Sequence, residues 1–520
     1  MPTPMIPHPR RITRPLARAA AVALSLAACA DSPSAADGCG RPLRLEVGQA
    51  VDVQPTAECP LRAEGGAEYV LAYYDARFAL GAQTQPEPYV GAGADERFTL
   101  VVQDVAGGAR ASVAPSMTFL AAPAVPAHVR VSAGGGAGQV RSIPAGGPWS
   151  VGDQIPLIRP DCTASCTPYT SARVASVFDG WLVLAVNPSL GGDTERVVQL
   201  FNQAAPLLRQ HGLPLMHAAF TAERPVTTPE SGQLVVVFEA DVTPGGGETH
   251  IEIRPEGTAT HWIRLEHTPE LDLGHMLWLL AHEIAHTFQY EFLARNPPAS
   301  GVRGDRGGAR WGIEGGATLV DTETLRRAAG VPLQGNVDFG ATPRSPVEAA
   351  LFGNGYSRGG ILTYGYYSSA PFLRDLALRR MERGDEMDVA FREVLRGAVE
   401  GWHGVGSESR RTGMAERMRG RLPGWEPVDA VLTWTLSTAA DDRLASTVYR
   451  DPTWLRAGDW ELAGRGWAPD RVITAGSGET QYTSRPPGST GYLLVRSPAS
   501  TLSLLLTAPE TLRWKLLRVS

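Results

Sequence analysis

Cysteine is scarce in this chain: five in 520 residues, all before residue 167. The remaining two-thirds can therefore hold neither a cysteine metal cluster nor a cysteine nucleophile. Beyond the N-terminus no apolar run is long enough for a transmembrane helix. Lys and Arg form no block, and a net charge of −6 over this length gives no nucleic-acid footprint. Glycine and proline, at 57 and 41, are plentiful instead, and favour turn-rich β domains over long helical bundles. A chain this long exceeds one core, so two to four domains are expected.

The N-terminus reads as a processing segment. Arg10, Arg11, Arg14 and Arg18 precede the apolar run Ala19–Ala28, which is too short to cross a bilayer. The run ends in Leu26-Ala27-Ala28-Cys29. This segment resembles a bacterial lipoprotein signal peptide. The resemblance implies removal of residues 1–28, lipid modification of Cys29 and export to a membrane, facing periplasm or cell surface. Residues 29–40 then form a tether, its small polar stretch running Asp31–Gly38. Cys39, Cys59, Cys162 and Cys166 remain, an even set suited to an oxidising compartment. Local pairing, Cys39 with Cys59 and Cys162 with Cys166, is one of three connectivities.

Alternation of apolar runs and turns predicts a β-sandwich domain over 41–130, with strands at Leu43–Val47, Glu68–Tyr73 and Arg97–Val102. Ala133–Gly138 is a glycine-rich linker. A second β segment covers 145–188, with strands at Trp149–Ile158, Ala172–Val177 and Trp181–Val186. A mixed α+β domain is expected over 190–445. It opens on an amphipathic helix at Asp193–Gln210 and has a central strand in the unbroken apolar run Gln233–Phe238. Half-buried strands follow at His250–Arg254 and His261–Glu266. A small β domain over 446–520 closes the chain.

The chemistry concentrates in His282-Glu283-Ile284-Ala285-His286, inside the helical pattern Leu271–Phe292. Thr268 as N-cap and Pro269 at the first position predict the helix start, and the apolar repeat predicts burial of one side. Histidines four apart stand on one helix face and can share a metal ion, with Glu283 beside them to handle a proton. A chain of this composition matches the pattern by chance about once in a hundred, so a third ligand must decide. Glu314, in Trp311-Gly312-Ile313-Glu314-Gly315-Gly316-Ala317, is the candidate, at the start of a helix expected near Ile313 and 28 residues after His286.

Together these motifs resemble the gluzincin metallopeptidases, which include thermolysin and the alanyl-aminopeptidase type; the order of elements is similar to exported, hyicolysin-like peptidases. The likeness spans roughly Thr194–Trp434. It implies a thermolysin-like catalytic domain that holds Zn2+ through His282, His286 and Glu314. It also implies Glu283 as the base that takes a proton from the zinc-bound water and passes it to the leaving amine. Asp321, seven after Glu314, matches an acid that aminopeptidase-type members bond to a zinc histidine. Tyr356, in Tyr356-Ser357-Arg358-Gly359-Gly360, matches the oxyanion-stabilising tyrosine, with Tyr364, Tyr366 and Tyr367 close behind. The Gly-x-Met-Glu-Asn element by which aminopeptidases hold a free amine is missing; Gly245-Gly246-Gly247-Glu248 stands near its place. That favours an endopeptidase acting on peptide or protein substrates, with His250–Arg254 or His261–Glu266 as an exposed edge for an extended peptide. An inactive, binding-type surface lipoprotein, an aminopeptidase and another zinc hydrolase are the alternatives.

Overall fold

The strand made entirely of apolar side chains up to its last residue, Leu234–Glu239, shows how the sheet is laid out. In the computed structural model it is fourth of seven strands, with parallel neighbours on both sides. Leu234, Val236 and Phe238 face a helical layer, while Val235 and Val237 pack with Ala185 and Trp262 on the opposite face. Burial on both faces is why the run does not alternate. The structure describes residues 42–54, 60–76, 94–104, 117–121, 129–133, 148–157, 170–220, 232–240, 247–254, 257–267, 271–295, 310–329, 369–402, 426–440, 469–477, 480–485, 490–498 and 501–520. The five cysteines, the signal-like segment, Tyr356 and its neighbouring tyrosines lie outside them.

Numbered along the chain, the strands are Ala50–Val53 (β1), Leu61–Glu64 (β2), Ala67–Asp75 (β3), Ala94–Asp104 (β4), Met117–Ala121 (β5), Val129–Ala133 (β6), Gln154–Leu157 (β7), Thr170–Phe178 (β8), Leu182–Val186 (β9), Leu234–Glu239 (β10), Gly247–Arg254 (β11), Gly257–Glu266 (β12), Arg471–Thr474 (β13), Thr480–Arg485 (β14), Thr490–Ser497 (β15), Thr501–Thr507 (β16) and Leu512–Arg518 (β17). The seven-stranded sheet runs β6-β11-β12-β10-β9-β8-β7. The segment expected as a separate β unit over 145–188 thus supplies three strands to the same sheet as β10, β11 and β12.

The first and last strands of the chain also combine. One sheet runs β1-β17-β3-β15-β13 and a second β14-β4-β16-β2, with β5 on β4. The β segments expected as separate units over 41–130 and 446–520 therefore share both sheets. The reason lies in β3, where Tyr69 to Tyr74 are all fully buried. A strand buried on both faces must satisfy its backbone groups on both edges, which β15 and β17 do. At Leu43–Val47, expected as a strand, only a bridge from Leu43 to Ala63 forms; the strand lies past the turn at Gly48, at Ala50–Val53.

The helices are Thr194–Leu207 (α1), Leu213–Phe220 (α2), Leu273–Arg295 (α3), Arg310–Ala329 (α4), Ser369–Glu382 (α5), Met387–Trp402 (α6) and Pro427–Ala440 (α7). A π turn over Leu208–Gly212 joins α1 to α2, so the helix expected to stop near Gln210 continues. A side chain at Gly212 would meet Thr324 Oγ1 of α4 at 2.8 Å, so glycine allows this close crossing. α3 starts later than expected: the Asp272 carboxylate accepts from His275 N–H at 2.7 Å and caps it, while Thr268 and Pro269 fall outside the described residues. From Met276 to Phe292 only Trp278 is less than buried. Burial is therefore all round, where one face was expected, because α3 lies between the sheet and the other helices. α7 links the sandwich to this layer: Thr435 bonds Thr490 of β15 at 2.7 Å, Asp429 pairs with Lys515 of β17, and Trp434 packs on Phe372 of α5.

The exposed edge expected at β11 or β12 is not there. β12 lies between β10 and β11, and β11 pairs on its other side with β6 over Thr249–Ile253.

Candidate metal centre

His282 and His286 stand one turn apart on α3, their ring centroids 4.8 Å apart and nearly perpendicular. α4 packs across them and brings Glu314 in from its second turn. Glu314 Oε2 lies 3.2 Å from His282 Nε2 and 3.4 Å from His286 Nε2. Ligand atoms held at about 2.0–2.1 Å around one tetrahedral zinc stand about 3.3 Å apart, so one carboxylate oxygen is at ligand spacing from both rings. The ligand atoms of His282, Glu283 and His286 also lie within 4.8 Å of one another. Glu283 belongs to that group by proximity, but Glu314 is the carboxylate at ligand spacing from both nitrogens.

The donor set fits zinc on its own chemistry. His286 Nε2 is buried without a hydrogen-bond partner, a cost that a metal ion would relieve. Two imidazoles and a carboxylate are a known catalytic zinc set, one short of closed coordination. Both rings are held by their other nitrogen. Asp321 Oδ2 lies 2.8 Å from His282 Nδ1, and Thr322 donates to the other oxygen of Asp321 at 2.9 Å. Gln289 Oε1 lies 2.9 Å from His286 Nδ1. With acceptors at both Nδ1 atoms, each neutral ring carries its proton there and turns the Nε2 lone pair inward.

Gln289 does a second job. Its Nε2 donates at 2.8 Å to the carbonyl of Ile313, the residue before Glu314. One side chain thus orients a histidine of α3 and fixes where α4 begins to cross. A side chain at Gly316 would meet Gln289 Nε2 at 2.9 Å, so the glycine makes room for this tie. Thr249 and Gly247 of β11 touch Glu283, as described below. Gln289 and Thr249 were not picked out from the sequence, and Gly247 only as part of the glycine run near the place of the amine-binding element. Gln289 had a visible signal, three positions after His286 on the same helix face; Thr249 and Gly247 had none.

The ionisable groups of the site, His282, Glu283, His286, Glu314 and Asp321, are at most 4% exposed, and burial weighs on their charge. For His282 burial alone would lower the pKa, but the hydrogen bonds to Asp321 and Glu314 and the charges of Asp321 and Glu283 raise it to about 10. Burial also pushes Asp321 up, to about 6, against the pull of His282. Burial raises Glu283 too, although both histidines oppose it. Glu314 falls well below the usual carboxylate range: burial would raise it, but the charge of the His286 side and the hydrogen bond to His282 outweigh that.

Two results follow for the metal. A His282 pKa near 10 means that the ring is protonated at pH 7–8 without metal and must lose that proton to bind one. Zinc uptake is therefore expected to release about one proton, with affinity falling about tenfold per pH unit on acidification below pH 10. Calorimetry in two buffers of different ionisation enthalpy measures this, and a zero proton count would contradict it. Asp321→Asn is expected to keep the fold and lower zinc affinity about 10–100-fold, read by competition with a chromophoric chelator.

His275 stays out of the group: its backbone bonds Asp272, and its ring lies 5.5 Å from Trp278. No protein-family model and no curated protein matches the chain. Among solved structures, the crystal structure of the aminopeptidase N family protein from Idiomarina loihiensis overlaps 65% of this chain and 69% of its own. Its identity is 14% and its TM-score 0.30, too loose a likeness to transfer a fold, a substrate or a residue role.

Proposed function

We propose that the chain is a zinc-dependent peptidase of gluzincin type, with a thermolysin-like catalytic fold and Glu283 as its acid–base group. The observation that carries the reading is the single oxygen of Glu314 at ligand spacing from two histidine Nε2 atoms, beside a buried glutamate. His282, His286 and Glu314 would hold the metal. When bound, zinc supplies a Lewis acid that polarises a peptide carbonyl and acidifies water.

The rest is the work of the chain. Glu283 takes the proton from the attacking water and returns it to the leaving amine, a role that suits a carboxylate whose pKa burial raises. Asp321 and Gln289 keep the rings aimed. Tyr356 is proposed as the donor to the tetrahedral oxyanion. The substrate is a peptide or protein cut internally, since the amine-binding element of aminopeptidases is missing. We place the protein outside the cytoplasm, anchored to a bacterial membrane by a lipid on Cys29, on the strength of residues 10–29.

The test is metal content and cleavage of a mixed peptide pool by the purified protein, with and without o-phenanthroline. One zinc per chain and chelator-sensitive internal cuts are expected. Chelator-insensitive cleavage, or no zinc retained after reconstitution, would sink the reading; products lacking one N-terminal residue would redirect it to an aminopeptidase.

A further inference from the structure

Strand β11 runs under Glu283 and treats its two carboxylate oxygens differently. Thr249, fully buried, donates from Oγ1 to Glu283 Oε2 at 2.5 Å, with the backbone carbonyl of the same Glu283 at 3.1 Å. Two residues earlier, a side chain on Gly247 would meet Glu283 Oε1 at 2.4 Å and its Cδ and Cγ at 2.8 Å. Residues two apart on a strand share a face. Their partners across the ladder, Ile263 and Leu265, belong to the same core as Ile284 of α3, so this face meets the helix.

We propose that Thr249 and Gly247 are positioning residues that hold Glu283 in its working orientation. The hydroxyl pins one oxygen, and the missing side chain lets the other sit against the strand. The inference rests on the peptidase reading and deepens it. Thr249 has one hydrogen and both its acceptors belong to Glu283, so the contact ties that residue's side chain to its own main chain. In Gly247 the constraint is purely steric. A β-carbon there would drive the carboxylate from its place, because the colliding atoms are the functional end of the side chain.

Thr249→Val removes the hydroxyl at nearly constant shape, and Thr249→Ser restores it. Thr249→Val is expected to lower kcat about 10–100-fold with KM and zinc content unchanged, and Thr249→Ser to recover to within about threefold. Gly247→Ala is expected to lower kcat at least as far. A readout independent of turnover is the infrared carboxylate band of Glu283, found by difference against Glu283→Gln in the full chain. It should shift in Thr249→Val and Gly247→Ala and return in Thr249→Ser. An unmoved band overturns the proposal, as does loss of zinc and activity shared equally by Thr249→Val and Thr249→Ser, which would mark mere packing. If the unsubstituted chain cuts no peptide but the band responds, positioning stands and the peptidase reading falls. If it cuts peptides and neither kcat nor the band responds, positioning falls alone.

Discussion

Glu283→Gln is expected to bind one zinc per chain and to hydrolyse peptides at least about a thousandfold more slowly, some 4 kcal/mol of transition-state stabilisation. The amide has the shape of the carboxylate, so it fits against Gly247 and still accepts from Thr249. It leaves His282, His286 and Glu314 untouched. What disappears is the capacity to take a proton. The loss should therefore fall on kcat, with KM little changed, since the group acts in the transition state and not in holding substrate. A steady-state comparison with metal content measured on the same sample decides it. A variant that kept both zinc and turnover would exclude Glu283 as the acid–base group and with it the mechanism.

His286→Ala should go further and abolish metal binding and activity together. A zinc site worth about 12 kcal/mol over three protein ligands loses about 4 kcal/mol or more with one of them, about a thousandfold or greater fall in affinity. Glu314 then keeps one histidine partner in place of two, in a site where it is 2% exposed. The variant is expected to melt lower as well, because removing a fully buried ring leaves a cavity between α3 and α4. Glu314→Gln separates the two effects: it retains volume, removes the ligand charge and should also lose zinc. Elemental analysis after zinc reconstitution and dialysis reads both variants. If either kept one zinc per chain, the ligand set would be wrong, and the group formed by His282, Glu283 and His286 would have to hold the ion.

Part of this site was legible because it is written locally. His282 and His286 are four apart on one helix, so their shared face follows from helical geometry alone. The spacing of Asp321 to Glu314 put both on one helix face, its bond to a zinc histidine was implied by the resemblance, and the structure brings it to 2.8 Å from His282 Nδ1. Gln289 was legible in principle. Thr249 and Gly247 were not, since they meet Glu283 across a sheet-to-helix contact 34 and 36 residues away in the chain. The same limit explains the strands. β10 declared its central place through an unbroken apolar run, but β3 gave no sign that its partners were β15 and β17, about 420 and 440 residues on.

The sequence by itself determined the helix that carries two histidines and a glutamate, a glutamate candidate to complete the set, and strands that must be buried on one or both faces. Periodicity and spacing decide the helix and the strands because they act within one element, whereas Glu314 stands on the next helix. Only the tertiary structure decided the rest. It put one oxygen of Glu314 between two Nε2 atoms, closed the first and last strands of the chain into common sheets, and covered β11 with β6 on the edge expected to be free. Those outcomes depend on which backbone edges and apolar faces find each other. Partners far apart in sequence are chosen by packing, which no local pattern records.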